Sequence, residues 1–109
     1  MKNLLVEKHC KACGPGTKAM PAAEIDLLLG ELPGWEAKNG EIFRTYNFEN
    51  YHQTMAFVNG VAWVAHREDH HPDLEVGYNR CKVRFSTHSA GGLTENDFIS
   101  AAKVNALLE

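Results

Sequence analysis

The chain has 109 residues, which is enough for one compact core and not for two. Its hydrophobic content of 44% and charged content of 23% are those of an ordinary water-soluble globular protein. The net charge of −3 argues against a surface that binds nucleic acid or an anionic membrane, because such surfaces need clustered excess Lys and Arg.

The remaining composition bears on the compartment. The longest apolar run, near Val61–Ala65, is far too short to span a bilayer, and the first residues lack the apolar core of a signal peptide. Three cysteines, an odd number, fit reduced thiols better than a disulfide framework. We therefore expect a cytoplasmic protein.

The first 20 residues show no apolar periodicity, and the stretch CGPGT at 13–17 is typical of irregular backbone. We expect a partly ordered tail over residues 1–20 and a single domain over residues 21–109. Cys10 and Cys13 form a CxxC pair, a spacing found in zinc sites and redox couples. The sequence has no second CxxC and no predicted helix to activate a redox thiol, so a solvated tail is the favoured interpretation.

Residues 21–32 carry an apolar stripe that predicts the first helix, ended by Pro33-Gly34. Strands are predicted over 35–38 and 41–48. Asn39-Gly40 between them is a strong hairpin signal, because both residues tolerate positive φ. Both faces of the second strand carry an aromatic residue, so the pattern leaves its core face open.

A long helix is predicted from Tyr51 to Asp69, because apolar residues recur three or four positions apart from Tyr51 to Ala65 and Pro72 disfavours helix just before it. Strands follow over 74–78 and 81–87, joined by a tight turn at Asn79-Arg80. Thr94 and the acids after it then open the last helix. That helix is expected to bury Phe98, Ile99, Ala102 and Leu107.

The order α-β-β-α-β-β-α predicts an α+β fold: a four-stranded antiparallel sheet with helices packed on one face. An open sheet leaves edge strands, which in small proteins are often paired between subunits.

Three of the six histidines lie within six residues, at His66, His70 and His71, and His88 follows the fourth strand. One interpretation is a metal site. His66 and His70 have the spacing of an HExxH zinc motif and would share a helix face, with His88 as a third ligand. Against it, Arg67 stands where that motif needs its general-base glutamate.

The other interpretation is acid–base chemistry. An imidazole has an unperturbed pKa of about 6.5, so two or three of them could supply an acid and a base at once, for example to eliminate water. Asp69 could orient a neighbouring ring. Histidines at helix ends are also common as solvated caps, which is the favoured interpretation for His66 alone but not for the other three together.

The spaced run of His70-His71-Pro72, Tyr78, His88 and Asp97 resembles the signature of the pterin-4a-carbinolamine dehydratases. Further landmarks appear in the family order: LPGW at 32–35, YNF at 46–48, AFVN at 56–59 and STH at 86–88. The resemblance covers about residues 21–107. One departure is His66, at a position that is often glutamate in the family. Any role of that glutamate in proton transfer or substrate contact would therefore be altered, or carried by an imidazole.

The resemblance implies an enzyme that removes water from 4a-hydroxytetrahydropterin to give quinonoid dihydropterin. It would thereby recycle the pterin cofactor of an aromatic amino acid hydroxylase. His70 and His88 would transfer protons, and His71 would bind the substrate and stabilise charge. The residues implied in substrate contact or in orienting the imidazoles are His66, Asp69, Pro72, Ser86, Thr87 and Asp97, although Asp97 is equally typical of a helix start.

The resemblance further implies that the pterin is the substrate and that neither a metal ion nor an organic cofactor is needed. It suggests a homodimer or homotetramer. Some relatives act as dimerisation cofactors of transcription regulators, so a second function is possible: a module that binds a protein partner and retains only vestigial catalysis.

Overall fold

The computed structural model describes residues 4–14 and 16–109. Residues 1–3 of the predicted tail, and Pro15 within the predicted irregular stretch, lie outside this part of the chain. The elements are a 3₁₀ turn at Leu4–Glu7, α1 at Ala22–Leu29, β1 at Glu36–Lys38, β2 at Glu41–Asn47, α2 at Tyr51–Glu68, β3 at Asp73–Val76, β4 at Arg80–Phe85, a second 3₁₀ turn at His88–Ala90, and α3 at Glu95–Ala106.

The four strands form one sheet in the order β1-β2-β4-β3, with every neighbouring pair antiparallel. This confirms the predicted α+β fold and its order of elements. Asn39 and Gly40 both have positive φ, at 53° and 77°, as the predicted hairpin turn requires. In the centre, β2 pairs with β4 from Ile42–Phe85 to Asn47–Arg80.

The core lies between one face of this sheet and the helices. Five residues of the two central strands are no more than 3% exposed: Ile42 and Tyr46 in β2, and Cys81, Val83 and Phe85 in β4. Ile42 and Tyr46 fix the core face of β2 that the sequence left open. From the helices, Phe57, Val61, Phe98 and Ile99 pack against them. The opposite face of the sheet carries polar side chains, such as Lys82, whose ammonium lies 4.7 Å from the centre of the Phe43 ring.

Several predicted details of the helices are wrong. The helix α1 ends at Leu29, and the chain then turns so that Leu32 is buried outside the helix. In α2 the buried face runs from Thr54 through Val61 to Glu68, so Tyr51 lies outside it and is 53% exposed. Leu107 follows α3 and is 40% exposed, so the helix does not bury it.

The turn before β4 also differs from the prediction. β3 ends at Val76, and the Gly77 amide donates a hydrogen bond to the Arg80 carbonyl at 2.8 Å. Arg80 is therefore already the first residue of β4, and the turn lies over residues 77–79 instead of at Asn79-Arg80.

The described part of the first 20 residues packs against the domain. Leu5 is 2% exposed and belongs to the core, and the Lys103 ammonium donates to the Val6 carbonyl at 2.9 Å. The division into a tail (1–20) and a domain (21–109) stays a prediction. Across residues 4–14 and 16–109, every helix is too short or too polar to cross a lipid bilayer.

Candidate active site

A buried carboxylate and an imidazole lie at the centre of the candidate site. Asp97 is fully buried, and its Oδ1 lies 2.6 Å from Nε2 of His70. Its Oδ2 accepts hydrogen bonds from the Thr87 hydroxyl at 2.8 Å and from the Thr94 amide at 3.0 Å. A carboxylate oxygen accepts hydrogen bonds, so we assign Nε2 of His70 as the donor in this pair. The other ring nitrogen, Nδ1, is left to accept or release a proton.

The end of α2 positions His70. The helix stops at Glu68, and Asp69 adopts the left-handed conformation with φ at 50°, which an aspartate tolerates better than most residues. This turn lets the His70 amide donate to the Ala65 carbonyl at 3.3 Å. The His70 ring stacks on Phe85, with ring centres 5.8 Å apart and an interplanar angle of 11°. The ring is thus held by backbone, stacking and the Asp97 carboxylate.

The start of α3 positions Asp97. Thr94 is the N-cap, and the Asp97 carboxylate three residues later returns to the Thr94 amide, as in a capping box. An acid in the first turn also interacts favourably with the helix dipole. Of the two roles expected for Asp97, helix start and orientation of an imidazole, its geometry accommodates both.

His70 opens onto a polar pocket of about 270 Å³. Three regions distant in sequence line it: the N-terminal segment, the end of α2, and the segment that comprises the loop before α3 and the first turn of α3. The lining residues are Cys10, Lys11, Ala12, Cys13, Glu68, Asp69, His70, Thr87, Ser89 and Asn96.

His88 lies in an adjoining pocket. It is exposed and begins the second 3₁₀ turn, which is followed by Gly91 with φ at 71°. This pocket measures about 360 Å³, and Ser86 and Thr87 also line it. Thr87 therefore borders both pockets and links His88 to the hydrogen-bonded group of His70 and Asp97.

The other predicted site residues lie around these pockets. His71 is exposed and lines neither of them, while Pro72 is half-buried. His66 is exposed on α2, with its ring centre 6.0 Å from that of Trp63. Because α2 ends before His70, the expectation that His66 and His70 share a helix face is wrong, and the zinc-motif spacing loses its geometric basis. Within the described residues, no group of three or more His, Cys, Asp or Glu side chains is placed to hold a metal ion.

The sequence did not identify the role of Glu68. Its side chain is only 4% exposed. It accepts hydrogen bonds from the Cys10 amide at 2.7 Å and from Nδ1 of His9 at 3.0 Å, and the Lys103 ammonium lies 3.8 Å away. Burial alone would raise the pKa of Glu68, but the Cys10 amide, His9 and Lys103 outweigh it and hold that pKa below its ordinary value. The available signal was its place on the buried face of α2, three residues after Ala65.

Cys10 was interpreted as part of a solvated tail, yet it is half-buried. Its Sγ lies 3.4 Å from the Ser100 hydroxyl and 3.5 Å from the Asn96 carbonyl. Burial raises the pKa of the Cys10 thiol to about 11, and the nearby Glu68 carboxylate adds to the effect. The thiol is therefore protonated at neutral pH and is a poor nucleophile.

The fold and the histidine–aspartate pair beside a polar pocket define a small α+β protein with a candidate acid–base site. Comparison with known proteins identifies its class: the profile of the family described as Pterin 4 alpha carbinolamine dehydratase matches residues 18–107. The chain belongs to this family, as the resemblance in sequence had suggested.

Individual relatives agree with this assignment. A protein of Stenotrophomonas maltophilia, provisionally named pterin-4-alpha-carbinolamine dehydratase, is 60% identical over 107 residues, covering 96% of this chain and 92% of its own. One of Nitrosomonas eutropha with the same provisional name is 54% identical, covering 95% and 93%. A crystal structure described as a transcriptional coactivator/pterin dehydratase from Brucella melitensis has a TM-score of 0.81 and 32% identity, covering 84% of this chain and all of that one.

Proposed function

We propose that the protein dehydrates 4a-hydroxytetrahydropterin to quinonoid dihydropterin by histidine acid–base catalysis. The observation that carries the proposal is the His70–Asp97 pair. A fully buried carboxylate holds one ring nitrogen of His70, and the ring borders a polar pocket in a chain of the pterin dehydratase family.

The reaction needs two proton transfers. An acid protonates the hydroxyl group on carbon 4a so that it leaves as water, and a base takes the proton from nitrogen 5, whose electrons form the new C4a–N5 double bond. We assign these two steps to His70 and His88, and substrate binding and charge stabilisation to His71. Thr87, which lies between the two pockets, and Ser86 are assigned to hydrogen bonding with the pterin ring. In this proposal the imidazoles supply the proton transfers without a metal ion or an organic cofactor.

The proposed context follows from this reaction. The product is the oxidised form of the pterin cofactor of aromatic amino acid hydroxylases, so such a hydroxylase is the proposed functional partner. The three cysteines are free thiols, which is consistent with a reducing cytoplasm. We propose a homodimer or homotetramer, because β1 and β3 are open edges of the sheet in the single chain.

The test is a stopped-flow assay of the dehydration with a chelator present. We expect the wild-type protein to accelerate the reaction, and His70→Ala and His88→Ala each to lower turnover by about 10²-fold or more. His52→Ala is the matched control, because His52 is an exposed histidine in the first turn of α2. A folded wild-type protein without acceleration would contradict the proposal. Zinc retained in stoichiometric amount after dialysis, with activity lost to the chelator, would favour the metal site instead.

A protein-binding module with vestigial catalysis is the second candidate function. An apolar groove of about 400 Å³ favours it, lined by Phe48, Gln53, Ala56, Phe57, Gly60, Leu107 and Leu108. Similarity to the Brucella melitensis protein, a transcriptional coactivator/pterin dehydratase, also favours it. Light scattering on wild type and Leu108→Glu separates two uses of this groove. Dissociation of an oligomer by Leu108→Glu would assign it to self-association, and an unchanged mass would leave it available to another partner.

A further inference from the structure

We propose that residues 9–13, here called the N-terminal wall, form one side of the substrate pocket and that Asn96 is the positioning residue that holds this wall in place. The inference rests on the proposed function and concerns substrate binding more than chemistry. The wall lies outside residues 18–107, the part that matches the family profile. It nevertheless supplies four of the ten residues that line the pocket beside His70: Cys10, Lys11, Ala12 and Cys13.

Asn96 attaches the wall through both ends of its side-chain amide. Its Oδ1 accepts a hydrogen bond from the Lys11 amide at 3.0 Å, and its Nδ2 donates to the Lys11 carbonyl at 2.7 Å. The same Nδ2 lies 3.6 Å from Sγ of Cys13. A side-chain amide that pairs with both backbone groups of one residue fixes the position and the direction of that stretch. Asn96 also lines the pocket itself, so it links the wall directly to the start of α3.

Glu68 provides a second attachment at the other end of the wall. Its buried carboxylate accepts from the Cys10 amide and from the His9 ring. Glu68 is two residues before His70, so the group that holds the wall and the histidine proposed to transfer protons are attached to the same helix end. A shift of the wall would therefore change the pocket next to the reacting groups.

The chemistry of the wall indicates binding. The Cys10 thiol is engaged by Ser100 and Asn96, and its raised pKa keeps it protonated. What the wall contributes is shape and polar backbone on one side of a pocket that, at about 270 Å³, is close to the lower end of small-molecule sites. Loosening the wall, or filling the pocket from the side of the wall, should therefore raise KM for the pterin and leave kcat nearly unchanged.

Two variants test this without removing buried apolar residues. Asn96→Ala deletes both hydrogen bonds to Lys11 and should raise KM about fivefold or more, since each hydrogen bond of this kind is worth about two- to tenfold in an equilibrium constant. Ala12→Trp places an indole on the exposed Ala12 at the pocket and should raise KM about tenfold or more by filling space. The matched controls are Asn59→Ala and Ala23→Trp, which change exposed helix residues outside the pocket.

The readouts are KM and kcat for dehydration, and the dissociation constant of 7,8-dihydropterin, a reduced pterin that lacks the 4a-hydroxyl. Weaker binding and higher KM in both variants, with kcat within about threefold of wild type and unaffected controls, would support the wall. An active wild type whose two variants bind and turn over normally would overturn the wall and leave the dehydratase proposal standing. An inactive, folded wild type would overturn the dehydratase proposal and the wall with it.

Discussion

Replacing Asp97 by asparagine tests whether His70 works through one particular tautomer. Oδ1 of Asp97 accepts from His70, and Oδ2 accepts from Thr87 and Thr94. An asparagine has one accepting oxygen and one donating amino group. The oxygen best replaces Oδ2, where two donors converge, which leaves the amino group facing His70. Nε2 of a neutral His70 must then accept, and the proton moves to Nδ1.

The expected loss is in kcat. In the wild-type ring, Nδ1 is left to accept a proton from the substrate. With a proton already fixed on Nδ1 in the variant, a neutral His70 can no longer accept one there. In a serine-protease triad, the equivalent aspartate-to-asparagine change lowers kcat by about 10⁴-fold through the wrong tautomer. We expect about 10²- to 10⁴-fold for Asp97→Asn, the range of a single acid–base group. The free energy of unfolding should fall by only about 1–2 kcal/mol, because Thr87 and Thr94 keep an acceptor.

Three measurements check this reasoning. The dehydration assay gives kcat, ¹⁵N NMR of the imidazole gives the His70 tautomer, and urea unfolding gives the stability. Asp26→Asn is the matched control, because Asp26 is exposed on α1 and lines neither pocket. The double variant His70→Ala/Asp97→Asn should be no slower than His70→Ala alone, because the two residues act as a unit. A normal kcat in Asp97→Asn, with the tautomer shifted, would refute the argument.

Three further outcomes are expected. Gly34→Ala should lower the free energy of unfolding by at least about 1 kcal/mol, because Gly34 has φ of +87° and a Cβ there would lie 2.6–2.9 Å from the Arg44 side chain. Urea unfolding checks this, with Gly14→Ala as the control because a Cβ at Gly14 would meet nothing within 4 Å. The pKa of Glu68 is depressed in the folded state, so its stabilisation is present above about pH 4.5 and is lost as the pH falls through the folded value; the stability gap between wild type and Glu68→Gln should shrink from pH 6 to pH 3, and a constant gap would contradict this. At pH 8, iodoacetamide should alkylate Cys10 far more slowly in the native protein than after unfolding, because the pKa of the buried thiol is about 11. Mass spectrometry of the digested protein measures both rates, and equal rates would contradict the prediction.

The periodic patterns predicted the fold because each of them reports a buried face. In the predicted strand that became β4, the alternating residues Cys81, Val83 and Phe85 are all buried, and Asn39-Gly40 correctly marked the hairpin. The pattern failed at the start of α2, because Tyr51 was counted as an apolar residue of the buried face. Tyr51 instead stacks on Tyr78 at the surface, with ring centres 6.3 Å apart.

The candidate site was only partly predictable, because its geometry depends on single residues and on distant contacts. One left-handed residue, Asp69, ends α2 and turns His70 away from the helix face of His66. No spacing rule reports such a turn. The N-terminal wall is even harder to predict from sequence. Its attachments to Glu68 and Asn96 join residues that are 58 and 85 positions apart, and they use backbone groups that any residue carries.

The three histidines of the signature differ in how firmly the structure holds them, and this difference bears on mechanism. The His70 side chain is 13% exposed and is fixed by Asp97, by stacking on Phe85 and by the turn at the end of α2. His71 and His88 are exposed. A proton transfer that depends on direction benefits from a preorganised ring, since misalignment by about 1 Å can cost 10²-fold in rate. We therefore expect substrate binding to order His88 and His71 around a His70 that is already in place, and the rate to be more sensitive to the supports of His70 than to those of the other two.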